Sequence, residues 1–345
     1  MNKRTKSLFI LLGFMLFVGG YSYPALASEN ASEIPPGFYL ISSVNGIELY
    51  RKDYKGGNPD FVQVVDLSKG SQVRLLHGEI IDFQDGQGAF GGRDAKFQVV
   101  ALEQFWDNVS ASNPGAFCVS NGEFFKLGET PTRLPFSLKV DGEILSDGYG
   151  KDEYPGQKMI LEIWADRVDI KELSLESLNN SSAPNIVAGL TEDARKSPQK
   201  YVARTFVGID NRNGDGKFET VLIFNTRSAR QKDAAGVLRE FGAEKIMMLD
   251  GGGSTQLICQ GSTYIASDRP IPQAIAVIAA GDGSLSVDTQ VGAFSFPENP
   301  EGNNLSITQG GMLNLSDMKW VLFAVLPVGL ILVLAISRMQ RRAYY

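Results

Sequence analysis

The sequence predicts an α+β domain with a mixed β-sheet core and few helices. Many short segments alternate between apolar and polar residues or are rich in β-branched residues, as strands are. Glycine is frequent, with 37 in 345 residues, which suits many tight turns. Only the stretch from Ser228 to Gly242 has the periodicity and end signals of a soluble helix. We find no internal repeat, so we expect a single large domain.

The first element is a predicted secretory signal peptide over residues 1–27. A basic start is followed by an apolar run at residues 8–18 and by the small-residue triplet Ala25-Leu26-Ala27, which is the expected cleavage site. The alternative is an uncleaved anchor, although the apolar run is shorter than the roughly 20 residues that a membrane span needs. Residues 28–44 then form a polar lead-in.

The body of the chain is predicted to be strand-rich. Strands are expected at residues 46–50, 61–67, 73–81, 97–101, 115–120, 138–140, 143–145, 159–164, 168–173, 201–210, 220–224, 245–250 and 273–279. Asp141-Gly142 between two of them is a strong hairpin signal. In the predicted helix, Ser228 and Gln231 form a capping box, and Gly242 suits the end.

The last elements predict an anchor in the membrane. Residues 282–318 are a flexible juxtamembrane spacer, and 319–337 are a transmembrane helix whose uncharged part is long enough to approach the roughly 30 Å hydrocarbon core. A buried core helix is the alternative. Residues 338–345 hold an arginine cluster, which should stay cytoplasmic. We therefore expect a single-pass cell-membrane protein whose ectodomain is extracytoplasmic.

Charge and histidine content restrict the function. Both predicted terminal segments are basic and contain no acid, so the ectodomain is more acidic than the net −6 of the whole chain. This charge argues against nucleic-acid binding. The single histidine, His77, excludes a His-rich zinc site and lies in a strand-like stretch, where a structural role is the more common one. Any catalysis should rest on carboxylates, cations and backbone groups.

Cys118 and Cys259 are the two cysteines of the chain. Two cysteines outside the cell usually pair, and closing so long a loop would stabilise by up to about 5 kcal/mol. A possible disulfide would join the segments on either side of the candidate site described below. Two separate buried thiols remain the alternative.

The loop Asn211 to Gly216 resembles a calcium-binding loop, because acids and amides occupy alternate positions. Leu222 occupies position 12, where such loops carry a glutamate. A hairpin turn is therefore favoured over a metal site. We predict no metal site and no cofactor, with calcium left open.

The most informative motif is Asp250-Gly251-Gly252-Gly253-Ser254, which follows a predicted buried strand. Three consecutive glycines are costly to order and suit a close approach of a ligand or another segment to the backbone. Their amides can cradle an anion, and Ser254 adds a hydroxyl. The motif is not a nucleotide-binding P-loop, because no lysine precedes the hydroxyl residue. A plain tight loop is the alternative.

Two further motifs carry candidate site residues. Arg204 lies mid-strand, where it is either a fork for phosphate or carboxylate or part of a solvated strand face. Asn121-Gly122 ends a short apolar strand and is followed by Glu123 and two aromatic residues, a combination that suits a sugar site or an ordinary turn.

Together these segments resemble the phosphodiester glycosidase family. Its members carry an Asn-Gly-Gly-Phe-Phe-like motif, an Arg-Thr-x-x-Gly motif and an Asp-Gly-Gly-Gly-Ser motif in this order, found here at 121–125, 204–208 and 250–254. The likeness spans roughly residues 45–281, a phosphodiester glycosidase-like domain. Glu123 departs from the family pattern, which has glycine there, and this departure bears on the substrate.

The resemblance implies a hydrolase that cleaves the bond between a sugar's anomeric carbon and a phosphodiester on cell-envelope glycans. Asp250 would stabilise the oxocarbenium-like centre or activate water, and Arg204 would hold the phosphate with the amides of residues 251–253. The expected substrate-binding residues are Asn121, Gly122, Thr205, Gly251, Gly252, Gly253 and Ser254.

Two other functions remain open at this point. The motifs would also shape the pocket of a non-catalytic surface module that binds glycans, or the glycines would only permit tight packing in a structural protein. The expected partners are a glycan phosphodiester substrate and the membrane, reached through the C-terminal helix. The oligomeric state is not predicted.

Overall fold

The structure, a computed structural model, describes residues 34–281. The predicted signal peptide (1–27), spacer (282–318), transmembrane helix (319–337) and cytoplasmic tail (338–345) lie outside the described residues. From 34 to 281, no helix is both long enough and apolar enough to cross a membrane.

Within the described part the chain forms 19 strands and three α-helices, so it is mostly β-sheet with few helices, as predicted. The first ten strands are β1 (Tyr39–Val44), β2 (Ile47–Lys52), β3 (Asp60–Asp66), β4 (Gln72–His77), β5 (Ile80–Asp85), β6 (Arg93–Phe97), β7 (Ala116–Asn121), β8 (Thr132–Arg133), β9 (Leu138–Val140) and β10 (Glu143–Ser146). The remaining strands are β11 (Lys158–Ile163), β12 (Val168–Glu172), β13 (Asn185–Thr191), β14 (Val202–Asp210), β15 (Thr220–Ala229), β16 (Lys245–Met248), β17 (Leu257–Cys259), β18 (Ser262–Ile265) and β19 (Gln273–Ile278). The helices are α1 (Leu102–Ser112), α2 (Leu175–Asn179) and α3 (Gln231–Glu240).

The strands form a large sheet of 11 strands, a small sheet of five and a third sheet of three. The large sheet runs β1-β2-β3-β15-β14-β16-β13-β11-β12, with β9 and β10 attached beside β13, and the small sheet runs β18-β17-β7-β19-β4. Every pair of neighbouring strands between residues 34 and 281 is antiparallel. The predicted mixed sheet is therefore wrong. Short hairpins such as the one at Asp141-Gly142 join antiparallel strands, whereas parallel neighbours need long crossovers.

The main core lies between the large and the small sheet. Apolar side chains from one face of the large sheet, such as Val207 and Ile223, share a cluster with Phe117 and Ile275 of the small sheet. Both sheets also bury their outer faces. Burial on two faces removes the alternation of polar and apolar residues that marks a half-exposed strand.

Helices cover the two outer faces. α3 packs Ala234 and Leu238 on the outer face of the large sheet, and α1 packs Phe105 and Val109 on that of the small sheet. α3 begins at Gln231 rather than at the predicted Ser228, because residues 228 and 229 still belong to β15. The layers are thus helix, small sheet, large sheet and helix.

The predicted strand over residues 73–81 is divided in the structure. β4 pairs with β19 in the small sheet, and after Gly78 the chain enters β5, which pairs with β6 in the third sheet. The strand predicted at 97–101 lies earlier in the chain, because β6 begins at Arg93 and ends at Phe97.

Cys118 and Cys259 form a disulfide bond in the main core. The two residues lie directly opposite each other on the neighbouring strands β7 and β17. Asn121 ends β7, and the glycine motif after Asp250 leads into β17. The bond therefore joins the two segments of the small sheet that flank the candidate site.

Candidate active site

Asp250 lies where the chain leaves the large sheet and crosses to the small one, between β16 and β17. The backbone N–H of Leu249 donates to the carbonyl of Thr205 at 2.9 Å, and that of Asp250 donates to the carbonyl of Gly122 at 3.0 Å. The first bond ties Asp250 to the large sheet and the second to the small sheet. Its position is therefore fixed by both.

A buried polar network holds the backbone around Asp250. The Asn121 amide nitrogen donates to the Asp250 carbonyl at 2.7 Å. The Asn121 oxygen accepts hydrogen bonds from the Thr205 hydroxyl at 2.8 Å and from the Gln256 N–H at 3.2 Å. The Asn225 amide completes the chain by donating to Thr205 at 3.3 Å. Asn121 and Thr205 are 1% and 0% exposed, so they position Asp250 and do not face a substrate, contrary to the prediction.

Gly122 also serves packing rather than substrate contact. A Cβ at this position would lie 1.7 Å from the side-chain oxygen of Gln273. That oxygen accepts the Glu123 N–H at 2.7 Å. The glycine therefore leaves space for Gln273 of β19 to bind the backbone of the first motif. These surroundings indicate a packing role for Gly122 and do not support its predicted role in substrate binding.

Arg204 does not face the cleft that contains Asp250. Its guanidinium is 4% exposed and donates to the backbone carbonyls of Ala229 at 3.2 Å, Lys196 at 3.3 Å, Ser197 at 2.7 Å and Lys200 at 3.2 Å. All three guanidinium nitrogens are engaged, which leaves no free fork for a phosphate. The predicted catalytic role is thus replaced by a positioning role, since Arg204 fixes the loop that carries Lys196.

A cleft of about 150 Å³ opens above Asp250. It is lined by Phe124, Phe125, Leu127, Pro135, Phe136, Tyr149, Glu153, Tyr154, Lys196, Asp250 and Arg269. Aromatic walls with a few charged groups are typical of a site that binds a sugar or another small polar ligand. Two of the charged groups, Lys196 and Arg269, are cations that the three motifs do not contain.

Lys196 and Arg269 are held by different contacts. The Lys196 ammonium lies 4.5 Å from the Phe124 ring centroid and 5.4 Å from that of Tyr154, which orients it by cation–π attraction. The Arg269 guanidinium donates to the Ser254 hydroxyl at 3.2 Å. No carboxylate of the described residues forms an ion pair with either cation. Both charges therefore remain available to an anion.

The glycine motif seats Arg269. A Cβ on Gly253 would lie 2.6 Å from the guanidinium carbon, so any other residue here would displace this guanidinium from its present position. Ser254 is fully buried and acts through its bond to Arg269. Gly251 lies against the carbonyl of Ala203, while Gly252 faces open space. We predicted that these glycines contact an anion. In the structure the motif has a second role, because it accommodates the guanidinium of Arg269.

Burial raises the pKa of Asp250 from 3.8 to about 6. The Ser254 hydroxyl, the Gly251 amide and the positive charges of Lys196 and Arg269 act in the opposite direction. The Gly251 N–H donates to the carboxylate at 2.9 Å. Asp250 is consequently ionised at pH 7 but takes up a proton under mildly acidic conditions, as a general base does.

Glu123 is a second carboxyl group beside the cleft. It is 2% exposed, and burial raises its pKa well above the usual value, with a further contribution from the charge of Asp250. One oxygen accepts the Phe136 N–H at 3.1 Å. The other is buried without a hydrogen-bond partner among the described residues. Burial therefore favours the protonated form of Glu123, and a glycine there would remove the acceptor of the Phe136 N–H.

A wider cleft of about 620 Å³ lies on the other side of Tyr149. It is lined by Gln87, Gly88, Ala89, Phe90, Gly91, Tyr149, Lys151 and Leu175. Because Tyr149 lines both clefts, the two are neighbours. Among its lining residues the wider cleft holds a single charged side chain, Lys151, and none of the predicted motifs.

A family model described as phosphodiester glycosidase matches residues 96–278, which is more than half of the chain. The chain belongs to the phosphodiester glycosidase family. This confirms the family predicted from the three motifs, and membership identifies the protein as a glycosidase-type hydrolase.

Two solved structures are similar to this member of the family. One is the catalytic domain of zebrafish N-acetylglucosamine-1-phosphodiester alpha-N-acetylglucosaminidase, auto-inhibited by its pro-peptide, at 15% identity and a TM-score of 0.46, covering 74% of this chain and 94% of that chain. The other is a hypothetical protein from Synechocystis at 10% identity and a TM-score of 0.39, covering 71% and 68%. No curated protein matches the chain. Family membership rests on the family model.

The three sequence motifs did not identify Lys196 and Arg269 as residues of the cleft. Each lies in a loop beside a proline-containing turn, and no spacing rule connects either to Asp250. The acidic charge of the predicted ectodomain gave the one usable signal, since an anionic substrate on such a surface needs local cations. His77 lies outside the cleft, where its ring packs edge-on against Phe97 at 5.9 Å.

Proposed function

We propose that this protein hydrolyses the bond between the anomeric carbon of a sugar and a phosphodiester on glycans outside the cytoplasm. The observation that carries the proposal is the convergence of Asp250, Lys196 and Arg269 in one aromatic-lined cleft. Asp250 shares this cleft with two cations that form no ion pair with a carboxylate among the described residues. This charge pattern suits a substrate with a developing cation at carbon and an anion on phosphate.

The reaction breaks the bond between the anomeric carbon and the phosphate oxygen. The electron pair of that bond goes to the oxygen, which leaves as a phosphate monoester still attached to the acceptor. Asp250 takes a proton from a water molecule, and the resulting hydroxide oxygen bonds to the anomeric carbon. The carboxylate also stabilises the oxocarbenium-like transition state.

Lys196 and Arg269 would hold the phosphate. A phosphate leaving group carries its negative charge without protonation, so positive charge replaces the general acid that ordinary glycosidases need. Arg269 offers a planar fork and Lys196 a point charge, and both are used for phosphate in proteins. Glu123 is buried and accepts the backbone N–H of Phe136, so it supports the backbone beside the cleft.

The wider cleft beyond Tyr149 supports a large acceptor. The cleft at Asp250 is smaller than the roughly 300–1,000 Å³ of sites that enclose a whole drug-sized ligand. It would hold the sugar and phosphate, while the acceptor extends past Tyr149. The disulfide supports an oxidising compartment, which agrees with the predicted signal peptide and membrane anchor.

The proposal is tested by incubating the purified full-length protein with a panel of sugar-1-phosphodiesters and measuring the released sugar. Arg269→Ala and Lys196→Met are expected to lower kcat/KM by about 10²-fold each, because each removes one charge from the phosphate. Neither should change the urea midpoint much, since both side chains are partly exposed. Arg195→Ala removes a neighbouring exposed charge and serves as the matched control.

Arg204→Ala should behave in the opposite manner. It leaves the carbonyls of the Lys196 loop without their donors and is expected to cost about 2–3 kcal/mol of stability. If Arg204→Ala is as stable as the wild type but binds phosphodiesters poorly, Arg204 contacts the substrate and the positioning role is wrong. Glycan binding without turnover across the whole panel would instead favour a binding module.

The pH dependence gives a second test of Asp250 as the base. Its pKa is raised to about 6, and the ionised form is the active one. We expect kcat/KM to be constant above pH 7 and to fall about tenfold per pH unit below about 6. A profile that rises as the pH drops through 6 would show that the protonated form is active, which would make Asp250 a general acid.

A further inference from the structure

The loop between β14 and β15 lies outside the proposed active site. In this loop, side chains with oxygen atoms occupy alternate positions, at Asn211, Asn213, Asp215 and Glu219. These are positions 1, 3, 5 and 9 of a calcium loop, and Gly216 occupies position 6, where such loops require glycine. The structure gives Gly216 a positive φ of 88°, which is the sharp turn this position makes.

The loop folds with its side-chain oxygens close to its own backbone. The Asn213 oxygen accepts the Asp215 N–H at 2.9 Å, and an Asp215 oxygen accepts the Lys217 N–H at 2.8 Å. These bonds hold each side-chain oxygen next to the backbone N–H two residues later in the turn. They leave other lone pairs of the same groups available, because carboxylate and amide oxygens accept more than one bond.

Two oxygen atoms at the ends of the loop are buried and lack partners. Glu219 is 6% exposed, and its Oε2 has no hydrogen-bond partner among the described residues. The Oδ1 of Asn211 is likewise buried and unpaired within residues 34–281. Burial raises the pKa of Glu219 and the backbone N–H groups of Glu219 and Asn213 act in the opposite direction, so the carboxylate lies near the backbone of the loop. Unpaired buried oxygens are costly, and a bound cation satisfies them.

We propose that this loop binds a calcium ion through Asn211, Asn213, Asp215 and Glu219, together with the backbone carbonyl of Lys217. Ca²⁺ takes six to eight oxygen ligands from carboxylates, amides, carbonyls and water, so two acids suffice. Two of the proposed side-chain ligands are acids, and no cluster of three or more His, Cys, Asp or Glu side chains suited to a metal occurs from 34 to 281.

Glu219 replaces the glutamate that the sequence template requires at position 12. Leu222 occupies that position and is fully buried in β15, so it belongs to the sheet. The loop here closes a hairpin instead of joining two helices, and β15 begins before position 12 is reached. Glu219 at position 9 directly precedes β15, which begins at Thr220.

The local charge also favours a cation. The negative charges of Asp66 and Asp215 lie near the Glu219 carboxylate. The nearby Arg212 is already paired with Asp210 at 2.9 Å and does not neutralise them. A bound ion would fasten together β14 and β15, which are neighbours near the middle of the large sheet.

The test uses the full-length protein after removal of metals with EDTA. Calcium binding is measured by calorimetry, and the Tm is measured with and without about 10 mM CaCl₂. Two carboxylates place the Kd in the weak range of roughly 10⁻⁴–10⁻³ M, so a Tm rise of about 3–10 °C is expected. MgCl₂ at the same concentration should produce a smaller shift, because Mg²⁺ demands a tighter octahedral site.

Asp215→Asn and Glu219→Gln should abolish both the binding heat and the Tm rise. Asp107→Asn, an exposed acid on α1, should leave both unchanged. Asp215 lies on the surface, so its variant stays informative even if Glu219→Gln fails to fold. The proposal is wrong if the wild type shows no Tm rise, or if Asp215→Asn binds calcium as tightly as the wild type. Neither outcome depends on turnover.

Discussion

Asp250→Asn is expected to lower kcat on sugar-1-phosphodiesters by roughly 10³-fold or more while the protein stays folded. The asparagine keeps the shape of the side chain and still accepts the Gly251 N–H. It removes the negative charge that stabilises the oxocarbenium-like centre and the base that takes the proton from water. The other carboxyl group that lines the cleft among the described residues is the exposed Glu153, and burial raises the pKa of the neighbouring Glu123 well above its usual value.

The same substitution is expected to raise stability at neutral pH. The pKa of Asp250 is about 6 in the folded protein against 3.8 in the unfolded chain. Between these values the folded state binds more protons, so stability falls as the pH rises through this window and stays lower above pH 6. The asparagine side chain is uncharged at every pH. At pH 7 the free energy of unfolding of Asp250→Asn should therefore exceed that of the wild type by about 1–2 kcal/mol, after allowance for solvent screening.

Two measurements check this prediction together. Product release is followed at pH 7.5, and urea unfolding is compared for both proteins at pH 4 and at pH 7.5. The free energy of unfolding of Asp250→Asn minus that of the wild type should be near zero at pH 4 and positive at pH 7.5. Asp166→Asn, an exposed acid outside the cleft, is the matched control. A folded Asp250→Asn protein that retains turnover would refute the assignment of Asp250.

Asp250 lines the cleft in the structure, and the sequence singles it out because the evidence for it is local. A strand, a carboxylate and three glycines follow one another within a few residues. The β-rich fold class was predicted for the same reason, since strand patterns and turn residues are read over short windows. What local patterns cannot show is which way a side chain faces once the sheets pack.

Asn121, Thr205 and Arg204 illustrate that limit. Each is a polar residue at or near a strand end, where it either contacts a ligand or holds another segment in place. Only the packing of the two sheets decides, and here it places Asn121 and Thr205 under the Asp250 backbone. Lys196 and Arg269 reach the cleft from distant loops, and no local pattern brings them together.

Helix α1 was missed although its pattern is present. Leu102, Phe105 and Val109 are spaced as one helical face and are buried on the small sheet. The residue before the helix, Ala101, provides no side-chain cap, so the usual start signal is absent. The helix is stabilised by tertiary packing on the small sheet, which a sequence window does not contain.

Removal of the disulfide is the second large effect that we expect. Replacing Cys118 and Cys259 by alanine opens a loop of 141 residues and should lower the free energy of unfolding by about 4–5 kcal/mol on the chain-entropy model. Loss of two buried sulfur atoms from the main core adds a smaller packing cost. Urea unfolding of the double variant measures the sum.

Comparison with the reduced wild type separates the two contributions, because the reduced protein keeps both sulfur atoms and loses only the covalent bond. If loop closure dominates, the reduced protein and the double alanine variant should unfold at similar urea concentrations, both far below the oxidised protein. The bond also joins β7, which ends at Asn121, to β17, which follows the Asp250 loop. A loss below about 1 kcal/mol would mean that the hydrogen bonds of β7, β17 and β19 already fix this register, and that the unfolded chain retains contacts across the same strands.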